Sequence, residues 1–438
     1  MGERGYLRVV ALLTVASFVI NLGFSALSPI FPYLILAVKG ILRELPELTS
    51  GAVEAHQGAV ELGMLSAAFM AMRAPTAGVV GFVSDAIGKK KTILLGMGLY
   101  TASYLGFIFS NNLQLFILFR GVQGVASGMV WPVAEALLSD VTPRWSRGKM
   151  ISIYSSSMMV AQVVGPGIGV GVYKLYVFSH GGGDVILALK IPLLLLVLLS
   201  LISLLTLLLL PSHRGGTDVR RSGFREVFKM LGEMPGYVLR SLRVIYVNGF
   251  INGLAMGILQ TVAIVYMIEK VAKDPFFIGL FFSIFSIVAL PATFLAGYLS
   301  DRWRRRKPFV VFGYVVGRFA FFLIPLVTSY TLLLVLGAML SLVFAFSSPA
   351  MRALQADLAA DGVRGSIFGL QQLFFNSGTF VGALLGGYIT KVFAEKMVNL
   401  LGYLLTGYIV PFWMAGSLGI LTTVLFVLYV EERREPPS

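Results

Sequence analysis

The sequence predicts an all-α integral membrane protein with twelve transmembrane helices in two pseudo-symmetric six-helix bundles. Two observations carry that prediction. Of the 438 residues, 57% are hydrophobic and only 13% charged, against about 25% charged in an ordinary soluble domain. The second is a repeat. Pro75, Gly81, Ser84 and Asp85 return as Pro291, Gly297, Ser300 and Asp301, each 216 positions later. Pro132, Ala136, Asp140, Arg147, Gly148, Gly165 and Gly169 return as Pro349, Ala353, Asp357, Arg364, Gly365, Gly382 and Gly386, each 217 later. So constant an offset marks a duplication.

Each bilayer crossing needs about 20 apolar residues, and twelve runs supply them: 8–36, 58–84, 92–111, 113–138, 150–177, 185–210, 244–268, 276–300, 308–328, 331–356, 366–391 and 402–430. Arg4 and Arg8 before the first run resemble a signal peptide, but the run is too long and shows no cleavage site, so it reads as a span. Basic residues gather in alternate loops: Lys89 to Lys91, Arg144 to Lys149, Arg214 to Lys229 and Arg302 to Lys307. That alternation places both termini in the cytoplasm of a multi-pass plasma-membrane protein. Attraction to anionic lipid headgroups accounts for the net charge of +14. With no single basic patch, nucleic acid is not an expected partner. Cysteine is absent, which removes disulfides and thiolate chemistry.

One long polar stretch separates the halves, giving an N-terminal bundle over 1–210, a linker over 211–243 and a C-terminal bundle over 244–438. Phe224, Val227, Phe228 and Leu231 share one helical face, so the linker is expected to hold an amphipathic surface helix. Asn21 and Asn252 differ by 231 positions, which puts 15 extra residues in the first external loop, near 39–58. That loop reads as a solvated insertion.

The run Gly81-Phe-Val-Ser-Asp85-Ala-Ile-Gly88-Lys89-Lys90-Lys91 resembles the cytoplasmic loop between helices two and three of the major facilitator superfamily. Ala86 stands where that pattern has an Arg. The second copy, from Gly297 through Asp301, keeps the basic residue as Arg302 but loses the second Gly. The resemblance implies a conformational gate at Gly81, Asp85, Gly88, Lys89, Asp140 and Arg147, repeated at Gly297, Asp301, Arg302, Asp357 and Arg364. A carboxylate near a helix N-terminus is stabilised by about 0.3–1 kcal/mol, a contact available only when that side is closed. Arg120-Gly-Val-Gln-Gly124 resembles the superfamily's second motif. Ala161-x-x-x-Gly165-Pro166-x-x-Gly169 resembles its drug:proton antiporter motif, with Val170 where the family has Gly. Small residues at such spacing also serve plain helix packing.

Charges within spans mark function by default. Arg120 is the clearest, since its repeat position is Gly337. Arg73 lies 12 residues before Asp85, about 18 Å along the helix. Glu135 has Arg352 at its repeat position. Asn21, Asn252, Gln260 and Asn376 complete the candidates for a substrate or proton pathway, with Gln162 and the phenylalanines 276–285 beside them. Arg318, in a span peripheral in this family, reads as structural or snorkelling.

Enzyme chemistry finds no footing. Gly81 and Gly88-Lys89 are too far apart for a P-loop, and His56, His180 and His213 are too scattered for a metal cluster; no cofactor is expected. Duplicated halves in a membrane chain point to a secondary transporter, driven by an ion or solute gradient. The resemblance implies alternating access with proton-coupled export of drugs or lipophilic solutes, by a monomer using protons and the bilayer. The alternatives are a carrier of a defined, anionic metabolite and a receptor or scaffold of the same fold that has lost transport.

Overall fold

The computed structural model describes residues 3–44, 53–143, 146–181, 184–211, 236–303, 306–358, 364–400 and 402–431. The linker helix expected around 224–231 falls outside them. The first expected span divides in two, α1 (Glu3–Leu27) and α2 (Phe31–Val38). Pro29 is the reason: a residue before proline is driven out of the helical region. The other helices of the first half are α3 (Ala59–Ile87), α4 (Lys89–Phe109), α5 (Leu113–Val141), α6 (Arg147–His180) and α7 (Val185–Leu208). Those of the second are α8 (Gly236–Tyr266), α9 (Pro275–Trp303), α10 (Lys307–Leu323), α11 (Tyr330–Leu358), α12 (Arg364–Phe393) and α13 (Ile409–Tyr429). Among the described residues, eleven helices are long and apolar enough to cross a membrane. The remaining expected span, 58–84, corresponds to α3, 29 residues long, which carries Glu61, Arg73 and Asp85.

The last expected span begins late. Residues 402–408 are not helical; strands β1 (Met397–Leu400) and β2 (Tyr403–Thr406) pair antiparallel, Met397 opposite Thr406. Gly402 supplies the turn with φ +89°, a conformation open to glycine at little cost, and its N–H donates to Asn399 Oδ1 at 3.1 Å.

Contacts divide the chain into two compact units, Met1–Gly215 with Ala263–Ile287 and Gly216–Val262 with Val288–Ser438. In lipid no hydrophobic force pulls helices together, so close backbone approach through small residues must do it. Within the first unit α1 lies along α6: a Cβ at Gly169 would sit 1.8 Å from Ala26 O, and one at Gly165 2.8 Å from Leu22 O. Within the second, α8 and α12 repeat that contact, with Gly382 against Leu254 O at 2.1 Å and Gly378 against Phe250 O at 1.9 Å. Ile245, Val310, Leu354 and Phe426 form a fully buried core beside them.

The duplication is also visible in a pair of lysines. Lys90 Nζ donates to Leu208 O at 2.9 Å and to Leu210 O, fastening the end of α7. Lys307, 217 positions later, donates to Val427 O at 2.8 Å and Val430 O at 2.7 Å, fastening the end of α13. A cation on carbonyls that lack intrahelical partners stabilises a helix end by about 0.3–1 kcal/mol. Lys90→Met and Lys307→Met should each lower the melting temperature slightly, and the double variant by the sum. Thermal unfolding followed by intrinsic tryptophan fluorescence checks this; no change in the double variant would make the contacts energetically idle.

Candidate functional site

The centre of the first unit is built by α3 and α5, which run parallel. Gly124 brings them together, since a Cβ there would sit 2.3 Å from Phe69 O and 3.2 Å from Arg73 N. That register sets Arg73 and Arg120 about one helical turn apart. The Arg120 guanidinium stands over three rings, Phe69 at 4.8 Å, Phe31 at 5.6 Å and Phe24 at 5.7 Å, and its Nη1 donates to Gln123 Oε1. Its Nε is buried without a hydrogen-bond partner. Arg73 lies over the same Phe69 ring at 5.9 Å. Both arginines act electrostatically on buried Tyr100, whose hydroxyl accepts from Trp131 Nε1 at 3.1 Å.

Among the described residues, neither arginine has an acidic partner. A charge at the centre of a span costs about 2.5–3.5 kcal/mol on insertion scales. Cation–π contacts return roughly 0.5–2 kcal/mol each, so three rings largely offset the cost for Arg120. Arg73, with one ring, stays under-compensated and keeps part of its surface open.

The antiporter-like motif serves the contact of α1 with α6 and a second one. Ser25 Oγ donates to Ala161 O at 2.8 Å. Gly279 of α9 sits over Pro166 and Val170, with its Cβ position 3.5 Å from Pro166 O, and Ser283 Oγ donates to Val163 O at 2.7 Å. Nearby, at the end of the first unit opposite the basic loops, three polar contacts hold 263–287 in place. Tyr33 OH donates to Lys273 O at 2.5 Å, Lys174 Nζ to Asp274 Oδ2 at 3.0 Å, and His56 N–H to Glu269 Oε1 at 2.7 Å, with His56 Nδ1 at 2.7 Å from the same oxygen. His56 belongs to the loop read as a solvated insertion, yet it is only 5% exposed and Ala55 is fully buried. That part of the expectation is corrected: the loop returns into the packed interior at 53–58. Sequence reasoning missed this cluster because its partners are 213 and 240 positions apart.

At the basic-loop end, Lys89 pairs with Asp140, so the loop motif ties α4 to α5. Gly88 makes the corner before α4 with φ +95°, which explains a glycine there. Gly81 faces open space, and Arg302 reaches Tyr298 OH at 3.4 Å. The surroundings of Gly297 and the side chains of Asp85, Arg147, Asp301, Asp357 and Arg364 lie outside what the structure describes. Glu135 is exposed on α5 and interacts with Tyr154 of α6. Arg352 is exposed on α11, as is Gln260 on α8.

The amides are held internally. Asn21 Nδ2 donates to Ser17 O at 2.8 Å, and Asn376, 3% exposed, accepts from Gln372 Nε2 at 2.9 Å. Asn252 accepts from Arg318 Nη2 and donates to Asn248 Oδ1, while Asn248 Nδ2 donates to Thr422 O at 3.1 Å. Arg318 is 5% exposed and lies 4.8 Å from the Tyr314 ring; it is a buried strut between α8 and α10 and does not snorkel.

Comparison with known proteins places this architecture. The family model described as Major Facilitator Superfamily matches residues 13–243 and 245–438. "Multidrug resistance protein 2" of Bacillus subtilis (strain 168) is 23% identical over 362 residues, 81% of this chain and 86% of its own length. "Quinolone resistance protein NorA" of Staphylococcus aureus (strain MSSA476) is 22% identical over 364 residues, 80% of this chain and 86% of its own. The crystal structure of a D-xylose-proton symporter superposes with a TM-score of 0.73 at 13% identity, covering 98% of each chain. With two repeated six-helix halves and a family match along almost its whole length, this chain belongs to the Major Facilitator Superfamily of membrane transporters.

Proposed function

We propose that the protein exports lipophilic solutes in exchange for protons, as a monomer in the plasma membrane with both termini cytoplasmic. The observation that carries this reading is the half-open aromatic cluster of Phe24, Phe31 and Phe69 around Arg120, a surface suited to apolar bodies of varied shape. The names of the two resistance proteins support it. In this scheme the contacts of His56, Tyr33 and Lys174 close the external end, and Asp85 and Asp301 bias the cytoplasmic end. Glu135, exposed on α5, carries the proton, and its proton affinity changes with the charge around it through the cycle.

Efflux of a lipophilic dye from proteoliposomes under imposed pH and voltage gradients tests the proposal. Dye movement should follow the pH gradient and stop with a protonophore. Glu135→Gln should retain dye binding and lose pH-driven accumulation by roughly tenfold or more. If the variant stays driven by the pH gradient, the proton carrier lies elsewhere; if the parent ignores the gradient, coupled export is wrong.

A further inference from the structure

We infer that Arg73 and Arg120 form one anion-binding subsite, so the solutes this transporter takes carry a negative head on an apolar, preferably aromatic, body. Two guanidiniums stand within 6 Å of one phenyl ring, 5.9 Å for Arg73 and 4.8 Å for Arg120. Both act on the same tyrosine, Tyr100. Like charges gathered in a low-dielectric interior repel, and a protein normally places a carboxylate between them. Here the described residues supply none: Arg120 has one amide oxygen, from Gln123, and Arg73 has only the ring. The buried Nε of Arg120 is a donor with no acceptor. A planar carboxylate or a sulfonate provides what is missing, two or more acceptor oxygens for fork-shaped donors. Around that head, Phe24, Phe31 and Phe69 form the wall for the rest of the ligand. Both arginines are half-buried as residues.

The inference rests on the transporter reading only in calling the ligand cargo. The same chemistry describes an anionic lipid whose headgroup enters the cluster. The test is calorimetric titration of the full chain in phosphatidylcholine nanodiscs, referenced to empty discs, with 2-naphthalenesulfonate and its neutral isostere 2-naphthalenesulfonamide. The sulfonate should bind roughly tenfold tighter or more. Arg120→Gln and Arg73→Gln should each reduce that preference to less than about twofold while leaving the sulfonamide affinity within about twofold. Arg120→Lys, which keeps the charge but not the fork, should keep part of the preference. Two variants on different helices guard against a folding defect in one, and retained sulfonamide binding certifies the fold.

Doping the discs with phosphatidylglycerol distinguishes the sources. Weakened sulfonate binding assigns the site to a lipid headgroup, and unchanged binding assigns it to a free solute; both support the subsite. Equal affinity for the two probes, or a preference that survives in the double variant, overturns it. Dye export driven by a pH gradient, with no anion preference, removes the subsite and leaves the proposed function standing. Anion preference without coupled export does the reverse.

Discussion

Gly169→Ala is expected to destabilise the protein severely, whereas Gly167→Ala and Gly171→Ala on the same helix should leave it as stable or slightly more so. The Cβ of alanine at 169 would fall 1.8 Å from the backbone oxygen of Ala26, while at 167 and 171 it would meet nothing within 4 Å. A side chain could rotate away from such a clash; a backbone carbonyl in α1 cannot. Overpacking of this kind costs roughly 1–3 kcal/mol and more when rigid elements must separate, and 169 belongs at the upper end. At 167 and 171 the change removes a flexible residue from a helix, worth up to about 1 kcal/mol in its favour. Melting curves from intrinsic tryptophan fluorescence decide it. Similar midpoints for all three variants would mean that α1 and α6 do not rely on this contact. Gly378→Ala, beside Phe250 O, should repeat the loss in the other unit.

Glu269→Ala is expected to free the outer segments of α8 and α9 from the rest of the first unit. The carboxylate serves both the backbone N–H and the ring nitrogen of His56, and the two side chains are 9% and 6% exposed. Removing the carboxylate takes away a buried acceptor used by the His56 N–H and ring, at about 1–3 kcal/mol, enough to shift a two-state equilibrium by roughly 5- to 150-fold. Val170 is the place to read it, being 2% exposed beneath Gly279. Because the chain has no cysteine, Val170→Cys creates a single thiol. Its labelling by a membrane-impermeant maleimide should be slow in that background and faster by about tenfold or more with Glu269→Ala. Equal rates would show that Tyr33 and Lys174 hold the closure without His56.

These two sites differ in how much of them the sequence disclosed. Gly165 and Gly169 stand out because close helix contact leaves a periodic trace of small residues, repeated 217 positions on. The contact of His56 with Glu269 leaves no such trace; it depends on how a loop without a counterpart in the second half folds back. Arg73 and Arg120 are each legible as charges inside apolar runs, but their adjacency is set by the stagger of α3 against α5, which depends on Gly124 meeting Phe69. The hairpin at 397–406 was hidden for a different reason. Its apolar residues run on from those of α13, and hydropathy does not separate a short strand pair from the start of a span. Asn252 looked available for a ligand because Arg318, which holds it, lies 66 positions away.

The lysines at 90 and 307 bear on how such a chain could arise. Each ties the third long helix of its half to the last one of the same half, and neither reaches across the linker. An ancestral gene of half this length would already have encoded its own fastening, before any fusion doubled it. A present-day chain cut within 212–235 keeps both fastenings, one in each piece.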